Sequence, residues 1–152
     1  MIKMNKLATF FATLFYIGYF PYFPGTIGSV FSFVILWFFL QPSFVSISVF
    51  VLISILSIFV CGIAEREFGK KDDGRIVLDE FVGSFFSVLF LPKVIFYYFA
   101  AFVLFRIFDI TKPLGIKKLQ DIKGGLGIVI DDVAAGIFAN IFLLGILKII
   151  QM

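Results

Sequence analysis

Two pairs of adjacent carboxylates, Asp79-Glu80 and Asp131-Asp132, interrupt long apolar runs, and a third polar set, Arg106, Asp109 and Lys112, is spaced by three residues. Ionisable groups in such surroundings are costly unless paired, protonated or metal-bound, so these positions are the first candidates for chemistry. The spacing of three puts Arg106, Asp109 and Lys112 on one broad helical face. Purely structural readings stand beside the chemical one: an internal ion pair with a snorkelling lysine on that face, and an N-cap role for Asp131 and for Asp79. Adjacent acids point in different directions, so at most one of each pair is expected to aim at a shared centre.

The chain has no histidine and one cysteine. Imidazole general-base catalysis, a Ser-His-Asp triad and zinc sites built from cysteine and histidine are thereby excluded. Cys61 sits in a hydrophobic run and reads as a small buried side chain. Arg66 follows it after four residues, one short of a thiol-phosphatase loop. Several oxygens without histidine favour a hard divalent cation, Mg2+ before Ca2+ or Zn2+. Arginine and lysine nearby make a phosphate the natural ligand, with guanidinium and metal stabilising charge on the transferred group. The glycine-rich stretches GTIGS at 25–29 and GGLG at 124–127, the latter with Gly124 and Gly125, offer backbone N–H groups to an anion. Neither is followed by Gly-Lys-Ser/Thr, so nucleotide hydrolysis is not indicated.

The elements that must position these groups follow from composition. Of 152 residues, 61% are hydrophobic and 15% charged, and phenylalanine alone contributes 24. A soluble domain of this size carries about a quarter charged residues and could not bury so much apolar surface. Disordered, disulfide-framework and soluble doubly wound classes are excluded, leaving a single-domain integral membrane protein over 1–152. All ten acidic residues lie between Glu65 and Asp132, and nine of thirteen basic ones, with Lys93 set aside, lie in the same stretch. A nucleic-acid binder would show a basic stripe with little acid, so no nucleic acid is expected as partner.

The runs are too long and too continuously apolar for an alternating barrel, and open sheets are not viable in lipid. The expected fold is therefore all-α, a polytopic membrane helical bundle with about four to five transmembrane helices. Helices are expected at 30–40, 44–70, 76–91, 94–112 and 131–149, with a short interfacial or re-entrant helix over 7–20. The N-terminal stretch superficially resembles a signal peptide but lacks the small-residue cleavage pattern, and is read as retained. Pro42, Pro92 and Pro113 end helices. Residues 113–130 read as a long polar connection, a length more often functional than idle.

If these helices cross in alternation, one face receives the PGTIGS segment, Glu65 and Glu67, Asp79-Glu80, Arg106/Asp109/Lys112 and Asp131-Asp132. Segments distant in sequence thus meet at one polar face. The basic residues Arg66, Lys70, Lys71, Arg75, Lys112, Lys117, Lys118 and Lys123 share it, with Lys93 opposite, so the positive-inside rule makes that face cytoplasmic.

Four stretches in order, PGTIGS at 24–29, DDGRIVLDEFVG at 72–83, FRIFDITKP at 105–113 and GGLGIVIDDVAAG at 124–136, closely resemble the bacterial phosphatidylglycerophosphatase A family. The resemblance covers nearly the whole chain from about Pro21. It implies a Mg2+-dependent lipid phosphatase of the bacterial inner membrane that hydrolyses phosphatidylglycerophosphate to phosphatidylglycerol and inorganic phosphate. Carried onto this chain, the pattern implies an acidic core of Asp72, Asp79, Glu80, Asp131 and Asp132. The metal set is then Asp79, Glu80 and Asp131 or Asp132. Arg106 and Lys112 take the phosphate with Asp109 beside them, Thr26 and Ser29 belong to the first motif, and Asp72 activates water. An Asp-x-Asp nucleophile pattern is missing, which favours direct metal-assisted attack over a phospho-aspartate. The alternative is a non-enzymatic membrane protein, a cation-coupled transporter or an assembly factor.

Overall fold

The computed structural model describes residues 5–39, 44–113 and 115–150. The described residues form seven α-helices and no strand: α1 (Lys6–Ala12), α2 (Pro24–Phe39), α3 (Phe44–Phe68), α4 (Leu78–Val88), α5 (Ile95–Thr111), α6 (Ile116–Gln120) and α7 (Gly125–Ile150). The fold is all-α, as the composition requires. The expected turn at Gln41-Pro42 lies outside the described residues.

Among the described residues two helices, Ile47–Phe68 within α3 and Gly125–Ile149 within α7, are long and apolar enough to cross a membrane. The expected four to five spans are therefore not reached by length. At 1.5 Å per residue, α2, α4 and α5 extend only about 24, 17 and 26 Å against a hydrocarbon core of about 30 Å. The N-terminal helix is shorter than expected as well. It stops at Ala12, and Leu14, Phe15 and Tyr16 take left-handed backbone before a single 3-10 turn over Ile17–Tyr19.

Two further boundaries differ. PGTIGS is not a turn before a helix but the first turns of α2, because Pro24 sits at the opening helical position, where its fixed φ suits the helix and its missing N–H costs nothing. The connection 113–130 is not an open loop. It contains α6, and α7 begins at Gly125, after Gly124 at φ +74. Asp131 and Asp132 therefore lie nearly two turns inside α7 and cannot be its N-cap. The apolar residues Leu126 and Ile128–Ile130 belong to the helix and not to the connection.

At the centre, α4 packs against α7, which also contacts α5, α3 and α6. One apolar cluster joins α2, α4, α5 and α7 through Leu36, Phe85, Ala101, Phe105 and Ala139. A second joins α1, α3, α4 and α7 through Ala12, Cys61, Val82 and Val129. Cys61 is free and buried, as its setting in the sequence suggests. A helix as short as α4 leaves C-terminal carbonyls to be satisfied within an apolar interior. Asn140 of α7 does so, its side-chain amide donating to Ser87 O at 3.1 Å and to Leu89 O at 2.6 Å.

Candidate active site

The close crossing of α4 and α7 is what brings acids from two distant segments together. A Cβ on Gly136 would lie 2.2 Å from Gly83 O, and one on Gly83 would lie 2.7 Å from Asp132 O. Only glycine permits this approach. One turn before Gly83 stand Asp79 and Glu80, and one turn before Gly136 stands Asp132. All three are buried, and each offers an oxygen within 4.8 Å of the others. Asp79 and Glu80 thus both reach the shared centre, against the expectation of one acid per pair. Asp79 Oδ1, Glu80 Oε2 and Asp132 Oδ2 are buried without a hydrogen-bond partner. Three carboxylates in so small a space repel one another, and a hard divalent cation is the compensating charge that suits an all-oxygen donor set.

The acids line a cavity of about 300 Å³ together with Pro24, Gly25, Asp72, Asp109, Lys112, Gln120 and Asp131. Lys112 is its cationic lining residue, and Arg106 stands next to it, against Glu80 and Asp109. Arg106 bonds Asp109 at 2.5 Å, lies 3.9 Å from Glu80, and donates at 3.4 Å to the hydroxyls of both Thr26 and Ser29. The first and third motifs are thereby joined. Its buried Nε–H has no partner. Lys112 caps α5 in left-handed backbone at φ 44, and Pro113 follows. Its ammonium pairs with Asp131 and lies 3.6 Å from Asp109. Burial alone would lower the Lys112 pKa, yet the hydrogen bond it donates to Asp131 and the charges of Asp131, Asp132 and Asp109 hold it above the ordinary lysine value. Lys112 therefore stays protonated.

Asp131 and Asp132 play different parts: Asp132 joins the acidic cluster while Asp131 holds Lys112. Asp72 also takes left-handed backbone, at φ 49, in the turn between α3 and α4. Its N–H donates to Glu65 at 3.2 Å and its carboxylate accepts from Gln120. Asp73, next to it, turns away to Arg75 at 2.7 Å, and that hydrogen bond pulls its carboxyl below the usual aspartate range. Gln120 is not legible as a site residue because it is uncharged and belongs to no pair or spaced set, whereas Glu65 is already placed on the polar face by its position. The placement of Gln120 depends on α6 folding back over the turn.

Gly124 and Gly125 do not line the acidic cavity. They border a separate one of about 320 Å³ with Gly62, Glu65 and Arg66. A Cβ on Gly125 would meet Ile58 O at 1.8 Å, so this glycine serves the packing of α7 on α3.

The family model for phosphatidylglycerophosphatase A matches residues 10–147. Phosphatidylglycerophosphatase A of Escherichia coli is 36% identical over 143 residues, covering 91% of this chain and 82% of its own. That of Haemophilus influenzae is 40% identical over 94 residues, covering 60% of this chain and 58% of its own. A Bacteroides thetaiotaomicron protein provisionally named a phosphatidylinositol-3-phosphatase is 37% identical over 153 residues, covering 94% and 95% of the two chains. No solved structure matches.

Proposed function

The chain belongs to the phosphatidylglycerophosphatase A family, and from that premise we propose that it hydrolyses phosphatidylglycerophosphate to phosphatidylglycerol and inorganic phosphate, using Mg2+ at the cytoplasmic face of a bacterial inner membrane. The family assignment makes it an enzyme of the lipid-phosphatase kind. One observation carries the finer reading: three buried carboxylates with unpartnered oxygens share one cavity with Lys112, and Arg106 stands beside it, 3.9 Å from Glu80. Asp79, Glu80 and Asp132 would hold Mg2+, which when bound supplies charge stabilisation on the phosphoryl oxygens and a more acidic water. Asp131 is assigned to positioning Lys112 rather than to the metal.

Arg106, oriented by Thr26, Ser29 and Asp109, supplies positive charge to the phosphate monoester from beside Glu80. Lys112, kept charged by Asp131, neutralises a second phosphate oxygen. Asp72, oriented by Gln120, takes a proton from the attacking water. Water forms the new P–O bond, the bond from phosphorus to the glycerol oxygen breaks, and that oxygen takes up a proton. The basic residues gathered around the site, from Arg66 to Lys123, support a cytoplasmic orientation. A cation path is disfavoured because Lys93 and Lys148, the charges away from the polar face among residues 44–150, are exposed.

Phosphate release decides the matter. Purified protein in detergent, given phosphatidylglycerophosphate, should release phosphate with Mg2+ and stop with chelator, and Glu80→Gln and Asp132→Asn should each abolish release. Unchanged turnover in both variants sinks the site. The Bacteroides relative's name supplies the rival headgroup. Faster release from phosphatidylinositol-3-phosphate would keep the phosphatase and overturn the proposed substrate.

A further inference from the structure

Beyond the polar cavity, α2 and α5 diverge to leave an apolar groove of about 620 Å³, lined among others by Val30, Val34 and Trp37 on α2 and Phe96, Phe99 and Phe102 on α5. The same faces of the same two helices build the polar site. On α5 the series Phe99, Phe102, Arg106 and Asp109 advances by three, four and three residues, one continuous helical stripe. On α2, Thr26 and Ser29 hold Arg106, and Val30, Val34 and Trp37 follow along the helix. The groove therefore begins where the phosphate-binding arginine ends. From Ser29 to Phe38 it runs about 14 Å, close to half of a hydrocarbon core of about 30 Å, the depth of one leaflet. Its walls are open: Val34 is 48% and Phe99 63% exposed, and no charged side chain is set into the lining.

We propose that this groove holds one acyl chain of the lipid substrate, so that α2 and α5 together fix the headgroup through Arg106 and the tail through the aromatic stripe. The proposal rests on the lipid-phosphatase reading and adds the part of the protein that selects a membrane-held substrate over a free phosphate ester. Moving a chain from lipid to an apolar groove has little hydrophobic driving force, since both surroundings are apolar. The groove acts instead by orientation, holding the phosphate ester in line with the acids.

Val34→Trp fills the groove about one turn beyond Val30 and touches no polar site residue. With dioleoyl phosphatidylglycerophosphate its kcat/KM should fall about tenfold, and with the dibutyryl analogue it should stay within about twofold of wild type, as expected when only chain-dependent positioning is lost. Equal effects on both substrates, or none on either, overturn the groove assignment. If wild type hydrolyses neither, it is the phosphatase reading that fails.

A second measurement does not depend on the variant. Trp37 is the only tryptophan, so wild-type fluorescence reports on the groove directly. In stopped-flow mixing, a few mole per cent of phosphatidylglycerophosphate with dibrominated acyl chains should quench it before turnover. The same fraction of dibrominated phosphatidylcholine should not. Equal quenching by the two lipids would mark an ordinary lipid-facing surface and overturn the proposal.

Discussion

Replacing Gly136 with alanine tests whether the helix crossing sets the site. The new methyl carbon would lie 2.2 Å from Gly83 O and 3.2 Å from Phe86 Cβ. An ordinary carbon–oxygen contact is about 3.3 Å, so α4 and α7 must separate by about 1 Å at this point. Gly83 O is backbone, so no side-chain rotation relieves the contact. Asp79 and Glu80 ride on α4 and Asp132 on α7, each one turn away, so the separation opens the acidic cluster by a similar amount. Mg2+ requires oxygens at about 2.0–2.1 Å in near-ideal geometry. An ångström of misplacement typically costs about a hundredfold in rate. The crowding itself should destabilise by about 1–3 kcal/mol.

The assay is phosphate release from the lipid as a function of Mg2+ concentration, with thermal unfolding in the same detergent. The expected result for Gly136→Ala is a folded protein with a higher Mg2+ requirement and kcat lower by about two orders of magnitude. Gly145 provides a matched control on the same helix, since nothing lies within 4 Å of the position its Cβ would take. Gly145→Ala should leave kcat unchanged and add up to about 1 kcal/mol of helix stability. A folded Gly136→Ala protein with wild-type kcat and wild-type Mg2+ dependence would refute the claim that the glycine crossing determines the spacing of the acids.

Two further substitutions probe the ion pairs. Lys112→Met leaves Asp131, only 2% exposed, without its partner, and should destabilise by about 3–5 kcal/mol. Adding Asp131→Asn should recover much of the melting temperature while phosphate release stays lost, and recovery of both would remove Lys112 from the chemistry. Asp73→Asn concerns stability alone. The Asp73 carboxyl is held low by Arg75, so its contribution is present above the ordinary aspartate pKa and is lost as pH falls through the folded-state value. Because Arg75 is 39% exposed, the neutral-pH difference from wild type should be only about 0.2–1 kcal/mol. The gap should close as pH drops below about 3.9, and a gap that widens toward acid would contradict the assignment.

Much of the site was legible in order of sequence. Apolar runs fixed an all-helical chain, and the confinement of every acid between Glu65 and Asp132 fixed one polar face. Boundaries were less legible where a segment's local chemistry admitted two structures. PGTIGS carries turn residues, yet Pro24 opens a helix with them. GGLGIVI looks like loop, yet its apolar residues complete a helix of 26 residues. Span number was less legible, since two described helices have the length and composition of a span and hydropathy marks burial in lipid and burial in protein alike. The 11-residue α4, buried along most of its length among its neighbours, satisfies the same pattern as a span.

What the sequence determined by itself was composition-driven: a helical membrane protein, carboxylate and guanidinium chemistry in place of imidazole, and the four motifs that carry family resemblance. These depend on residue type and local spacing alone. Which acid of each pair meets which partner was decided by tertiary structure. The glycine crossing of α4 and α7 draws Asp79, Glu80 and Asp132 together, while the left-handed cap at Lys112 turns its ammonium toward Asp131. The return of α6 over the turn adds Gln120 to Asp72. Direction and distance between side chains on separate helices depend on crossing geometry and chain reversal, which residue spacing within one helix does not encode.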